Sequence, residues 1–275
     1  MADSLTVRDA VITVNAIGGN VVQLVEQSLF DLPSDLLDQF LDANRIPRFF
    51  GQFAGQLAGF TLEQQLAFAE DVQDSTFIQY VNSLNFYIDT TNTLIGVGGI
   101  AYELNIEVDG KQLNALTTIP VKQDINFLSY TMSADYPNYA EVNVNLTVPN
   151  NFDAFVLLSN RRSDTTAFYI PDYFDGGLSD NGIYAGSGTI DLPLLRGYAD
   201  NENPELSVIG LFEVGDEITL KWQNIDEATY NFWFSVFNDG GDTPFSSATK
   251  IQSNLNGGIG IWAGYNTSYT TITIQ

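Results

Sequence analysis

Tyr102-Glu103-Leu104-Asn105-Ile106-Glu107-Val108-Asp109-Gly110 is the stretch whose reading decides the fold. Apolar and polar residues alternate from Tyr102 to Val108, the period-two pattern of a strand with one face buried. Asp109-Gly110 then supplies two residues that tolerate positive φ, the strongest short signal for a tight hairpin. Gln112 to Ile119 is the partner strand, and Pro120 closes it. A hairpin of this kind needs further strands to cover its apolar face.

Those strands are read on both sides. Toward the N-terminus, Val7 to Val14 is rich in β-branched residues, Gly18-Gly19 marks a turn, and Val21 to Val25 is the return strand. Strands resume at Asn85. Beyond the central hairpin, strands are expected at Phe127–Ser133, Ala140–Val148, Phe152–Ser159, Thr166–Ile170, Glu217–Trp222, Thr229–Phe237 and Tyr269–Ile274. Turn residues punctuate them at Pro137-Asn138, Pro149-Asn150, Asp175-Gly176-Gly177, Gly215-Asp216 and Asp239-Gly240-Gly241-Asp242. Such spacing predicts a mainly β protein, a two-part antiparallel β-sandwich of immunoglobulin/fibronectin-like type. The division is expected at Pro120 and the polar step Lys122–Asn126, giving an N-terminal domain over 1–122 and a C-terminal domain over 123–275.

One region breaks the pattern. Leu32, Leu36, Leu37, Phe40 and Leu41 recur at helical spacing, with Ser34 as N-cap and Pro47 as terminator. Thr61 opens a second helix with Gln64 as its capping-box partner, and Leu62, Leu66, Phe68, Ala69, Val72, Phe77 and Tyr80 form its stripe. A helical insertion is therefore expected at about 30–84. Between its helices lie Phe49, Phe50, Phe53, Leu57 and Phe60, too many large apolar groups for a solvated loop. Either this segment folds onto the sandwich or it offers an apolar face to a partner. Arg45 and Arg48 stand beside it in an otherwise acidic chain.

Composition narrows the chemistry. The 275 residues include 34 Asp and Glu against 10 Lys and Arg, a formal charge of −24. That field repels phosphate backbones and anionic lipid, so nucleic acid is not an expected partner. There is no cysteine and no histidine. Disulfides, thiolate nucleophiles, zinc-thiolate sites and Ser-His-Asp or Cys-His catalysis are excluded. No apolar run is long enough for a membrane-spanning helix, and no signal-peptide pattern precedes Ala2. Either the chain is cytosolic or a lead-in has been removed; because strand pattern begins almost at once, the expectation is that a lead-in is absent from this sequence.

Three further pieces now fall into order. They are Gly99 to Lys111 followed by Ala115-Leu116-Thr117-Thr118-Ile119-Pro120; Phe212-Glu213-Val214-Gly215-Asp216-Glu217-Ile218-Thr219-Leu220 followed by Tyr230 and Trp233; and Ser253 to Tyr265 before the final strand. Together they resemble a family of Bacteroidetes outer-membrane lipoproteins, the domain-of-unknown-function family numbered 4249, over residues 7–25 and 85–275. The resemblance implies an exported, lipid-anchored β-sandwich protein of the cell surface. It also implies a partner, an outer-membrane β-barrel of the TonB-dependent transporter type or a related assembly, in nutrient capture or outer-membrane assembly. It supplies no catalytic residues. The lipobox cysteine of the family is missing here, and the insertion at 30–84 is not part of its pattern.

Candidate sites are few. Asp172, Asp175 and Asp180 alternate with Gly and Asn, which suits a hard cation such as calcium; a polar turn whose Asp side chains cap their own backbone explains them too. Asp239 and Asp242 form a weaker pair of the same kind. Among cofactors only calcium has a candidate site. Asn254, Gly257, Gly258, Gly260 and Gly264 sit among Ile259, Ile261, Trp262 and Tyr265. Trp262 and Tyr265 either form a ligand platform or fill the core while the glycines allow close backbone approach. With 34 carboxylates, no pair stands out as a glycosidase acid and base. The expectation is a non-catalytic surface accessory or binding protein, with a free-standing carbohydrate- or peptide-binding module as the alternative and a carboxylate-based hydrolase last.

Overall fold

A computed structural model describes residues 8–28, 64, 85–148, 155–162, 178–179, 188–198, 205–237 and 250–275. In chain order the strands are β1 (Val11–Ala16), β2 (Val21–Ser28), β3 (Asn85–Ile88), β4 (Ala101–Val108), β5 (Lys111–Thr118), β6 (Ile125–Met132) and β7 (Tyr139–Val148). They continue as β8 (Phe155–Arg162), β9 (Leu178–Ser179), β10 (Gly188–Leu194), β11 (Phe212–Glu213), β12 (Glu217–Ile225) and β13 (Tyr265–Thr273). A helix, α1 (Glu227–Phe237), lies between the last two. The expected insertion at 30–84, with Phe49, Phe50, Phe53 and Phe60, lies outside the described residues apart from Gln64. The expected strand Thr166–Ile170 lies outside them as well.

The protein is mainly β. One five-stranded sheet has the order β3-β2-β1-β4-β5. Its β4–β5 hairpin turns at Asp109 and Gly110, both at positive φ (49° and 70°), as the mirror-image turn requires. The chain divides into two compact units, the first comprising Met1–Val14, Val21–Leu94 and Asn105–Gln112, the second Asn15–Asn20, Ile95–Leu104 and Leu113–Gln275.

In the first unit, β2 pairs antiparallel with β3 from Val25↔Ile88 to Ser28↔Asn85. Strand β1 begins only at Val11, because Asp9 adopts φ 57° and interrupts the extended course. The bend is held by one carboxylate: Glu26 Oε2 accepts from Asp9 N–H (2.8 Å) and from the Tyr87 hydroxyl (2.9 Å), which in turn accepts from Ala10 N–H (3.0 Å). After β3, Asp89 organises the turn by accepting from the N–H groups of Thr91, Thr93 and Leu94 at 2.6 to 2.9 Å.

The second unit holds a sandwich of two antiparallel four-stranded sheets. In one, β7 pairs with β6 on one side and with β10 and β11 on the other; the second has the order β13-β12-β8-β9. Alternation decides which side chains meet. Leu128, Val142, Val144, Leu146 and Phe212 of the first sheet pack against Ile218, Leu220 and Trp222 of the second, closed by Leu194 and Ile274. Each such side chain contributes about 1.5–3 kcal/mol on burial. Strand β10 is not among the strands expected from the sequence, and Pro193 interrupts its Thr-Ile-Asp-Leu run. Its place explains the proline: among the described strands β10 pairs only with β7, and a sheet edge tolerates a missing N–H.

One expectation is corrected. Thr229–Phe237, rich in aromatics and read as a strand, is the body of α1. Its start is capped by Asp226, whose Oδ1 accepts from Thr229 N–H (2.8 Å) and from the Thr229 hydroxyl (2.6 Å), while Tyr230 N–H reaches the Asp226 carbonyl at 3.0 Å. Aromatic propensity for strands is weak against a satisfied cap and a packing surface. That surface is β8 and β9, on which α1 lies.

Candidate functional site

Of the residues singled out in the sequence, Asp172, Asp175, Asp180, Asp239 and Asp242 lie outside the described residues, as do the phenylalanines of the insertion. Trp262 and Tyr265 are described, and three residues of separation place them in different surroundings.

The segment before Trp262 is a loop closed by its own side chains. Ser253 Oγ accepts from Leu255 N–H and Gly260 N–H, both at 3.1 Å, and donates to the Gly260 carbonyl at 2.8 Å. Asn254 faces the Trp262 backbone as a neighbouring strand would, its Oδ1 accepting from Trp262 N–H (2.9 Å) and its Nδ2 donating to the Trp262 carbonyl (2.7 Å). The loop is tied along β5 by reciprocal backbone bonds between Asn114 and Asn256. Trp262 is half-buried, and its Nε1–H donates to the Tyr102 carbonyl at 3.1 Å. Gly264 passes so close to Ile119, the residue after β5, that a Cβ there would lie 2.6 Å from Ile119 Cγ1 and 3.3 Å from its Cα.

A relay of hydrogen bonds anchors this corner. Gly264 N–H donates to Thr117 Oγ1 (2.8 Å), and the Thr117 hydroxyl donates to Asp226 Oδ2 (2.7 Å), the carboxylate that caps α1. The loop, the end of β5 and the start of α1 are thus joined through one carboxylate.

At Tyr265 the chain enters β13 and the environment changes. In the register with β12, even-numbered residues such as Ile218, Leu220, Trp222 and Ser268 are buried. Odd-numbered residues of β13 therefore point outward: Tyr265, Thr267, Tyr269, Thr271 and Thr273. Tyr265 is 55% exposed and Tyr269 59%. On β12 their neighbours Lys221, opposite Tyr269, and Thr219, opposite Thr271, continue the polar face, whereas Gln223, opposite Thr267, and Ile225, opposite Tyr265, are buried. The Thr219 and Thr271 hydroxyls lie 3.2 Å apart. Burial of the Lys221 ammonium pushes its pKa down. β13 carries no charged residue in its nine positions.

Sequence reading found Tyr265 but took Tyr269 only as the start of the last strand. The signal was present in Tyr265-Asn266-Thr267-Ser268-Tyr269-Thr270-Thr271, where aromatic and hydroxyl residues alternate with residues turned inward. A second polar group lies elsewhere in the unit: Arg196 Nη1 stands 3.4 Å from Asp216 Oδ2 and 3.5 Å from Glu213 Oε1, with its guanidinium over the Tyr198 ring. Asp216 is half-buried there, and desolvation raises its pKa despite the Glu213 N–H bond and the nearby guanidinium. Among the described residues, no three carboxylates gather as a metal site would need.

Compared with known proteins, the chain matches no family model, no curated protein and no solved structure.

Proposed function

We propose that this chain is an exported, non-catalytic binding protein of a bacterial cell surface, working beside an outer-membrane β-barrel of the TonB-dependent transporter type or a related assembly. The transporter, the lipid anchor and the Bacteroidetes source rest on the resemblance carried by Gly99–Lys111, Phe212–Leu220 and Ser253–Tyr265. The immunoglobulin/fibronectin-like character of the sandwich and a helical insertion over 30–84 that meets the partner belong to the same proposal.

The observation that carries the binding reading is the outward face of β13, where two exposed tyrosines stand in a row of threonines. Exposed aromatics of this kind combine apolar area with a hydroxyl able to donate and accept, and they recur where proteins meet ligands or partners. A chain without histidine or cysteine lacks the common nucleophile–base pairs, which favours binding over catalysis.

The test is purification of the full-length, natively anchored protein in mild detergent, followed by mass-spectrometric identification of what accompanies it. A stoichiometric β-barrel is expected. Repeated recovery of the protein alone would discard the accessory role. The second reading, a free-standing carbohydrate- or peptide-binding module, is favoured by Tyr265 and Tyr269 and would then stand in its place.

A further inference from the structure

We infer that the outward face of β13 is a binding site for a neutral oligosaccharide, with Tyr265 and Tyr269 as stacking platforms and the threonines beside them as hydrogen-bonding groups. This rests on the binding reading above and names its ligand class.

Size favours a small, extended ligand. β13 is nine residues long, and on its outward side the neighbouring β12 is covered at Gln223 and Ile225, so the open strip is little more than one strand wide, roughly 30 Å by 5 Å and on the order of 150 Å². A stable protein partner needs about 800 Å² from each side. Within the strip, Tyr265 and Tyr269 are four residues apart on one face, a separation of about 13 Å. That distance exceeds a single sugar ring and is bridged by a short oligosaccharide.

Chemistry points the same way. A pyranose presents C–H groups on its faces and hydroxyls around its rim. Rings on the protein meet the faces, and Thr267, Thr271 and Thr219 hydroxyls meet the rim, each acting as donor and acceptor. Charge favours a neutral ligand. The strand has no ionised side chain, and a chain of net charge −24 repels polyanions. Lys221 is the cation opposite Tyr269 in the register, and a single ammonium does not offset that field.

The rigidity of the face follows from the fold. β13 is paired to β12 without a register break from Glu217↔Thr273 to Ile225↔Tyr265. From its inner side Ser268 Oγ donates to the Gln123 carbonyl at 2.6 Å, and Asn266 Nδ2 to the Pro120 carbonyl at 3.3 Å. The outward tyrosines therefore stand on an ordered scaffold, which lowers the cost of ligand binding.

The experiment is isothermal titration of the full chain with neutral β-1,4-, β-1,3- and α-1,4-glucans, xylans and mannans of three to six sugars. The matching monosaccharides and oligogalacturonates are titrated alongside. At least one neutral series should bind, its monosaccharide at least ten-fold more weakly. Tyr265→Ala and Tyr269→Ala should each weaken binding on the order of ten-fold, and Tyr269→Trp should retain it. Both positions are exposed, and an unchanged melting temperature verifies that each variant is folded. No binding to any neutral series, binding of oligogalacturonates alone, or affinity indifferent to both alanine variants would overturn the inference. A β-barrel recovered with the native protein alongside such a result would leave the accessory role standing and remove only the ligand class.

Discussion

Replacing Asp226 should loosen the second unit more than its position on the surface suggests. Its carboxylate accepts from Thr229 N–H, the Thr229 hydroxyl, the Thr117 hydroxyl and, at a longer 3.3 Å, Thr118 N–H. Loss of the helix cap costs about 1 kcal/mol. A hydroxyl donating to a part-buried carboxylate is worth about 1.5 kcal/mol, and its loss leaves the Thr117 hydroxyl accepting from Gly264 N–H but with no acceptor for its own proton. Asp226→Ala should therefore destabilise by about 2–3 kcal/mol, a fall of roughly 4–12 °C in melting temperature for a unit of this size. Asp226→Asn keeps an oxygen for the cap but turns an N–H2 toward Thr118 N–H, so about half of that loss remains. Urea denaturation followed by tryptophan fluorescence measures these values, since Trp222, Trp233 and Trp262 all lie in this unit. A double-mutant cycle with Thr117→Val isolates the bond between β5 and the cap, with an expected coupling of about 1 kcal/mol. A loss below about 0.5 kcal/mol for Asp226→Ala, or no coupling to Thr117, would refute the relay as a source of stability.

Gly264→Ala should cost about 1–3 kcal/mol, because the new methyl would meet the Ile119 side chain and backbone at once. Gly260→Ala is the control: its Cβ meets only Leu255 Cδ2 at 3.8 Å, so a change within about 0.5 kcal/mol is expected in the same denaturation experiment. Asp89 is partly exposed, and the Thr91 hydroxyl and then the Leu94 and neighbouring N–H groups pull its pKa down from 3.8 to about 2. A depressed carboxylate stabilises its folded turn above the unfolded pKa and loses that contribution as pH falls through the folded one. The amide resonances of Thr91, Thr93 and Leu94 should titrate together near pH 2; a midpoint near 3.8 would show that the turn does not hold the carboxylate.

Alternation alone makes most strands legible. Tyr102–Val108, Phe127–Ser133 and Ala140–Val148 carry a period-two pattern, and Asp109-Gly110 has few conformations open to it other than a tight hairpin turn. The same alternation runs through β13, where one exposed position determines the facing of every second residue along the strand. What local pattern misjudged is equally specific. Thr229–Phe237 carries the composition of a strand, and its helix depends on Asp226, β8 and β9, which lie outside that window. β10 was not read, and whether its Pro193 is tolerated depends on whether the strand is an edge, a property of the sheet.

From the sequence by itself came the mainly β fold, the absence of cysteine and histidine chemistry and the acidic field, because these depend on composition and on residues within a few positions of one another. Only the tertiary structure separated Trp262, whose indole N–H is taken up by the Tyr102 carbonyl, from Tyr265 and Tyr269, which face outward on β13. Exposure depends on which strand pairs with which and on what covers the other face. Those contacts join residues from 40 positions apart, as Ile225 and Tyr265, to 160, as Tyr102 and Trp262, and no local reading of an aromatic side chain contains them.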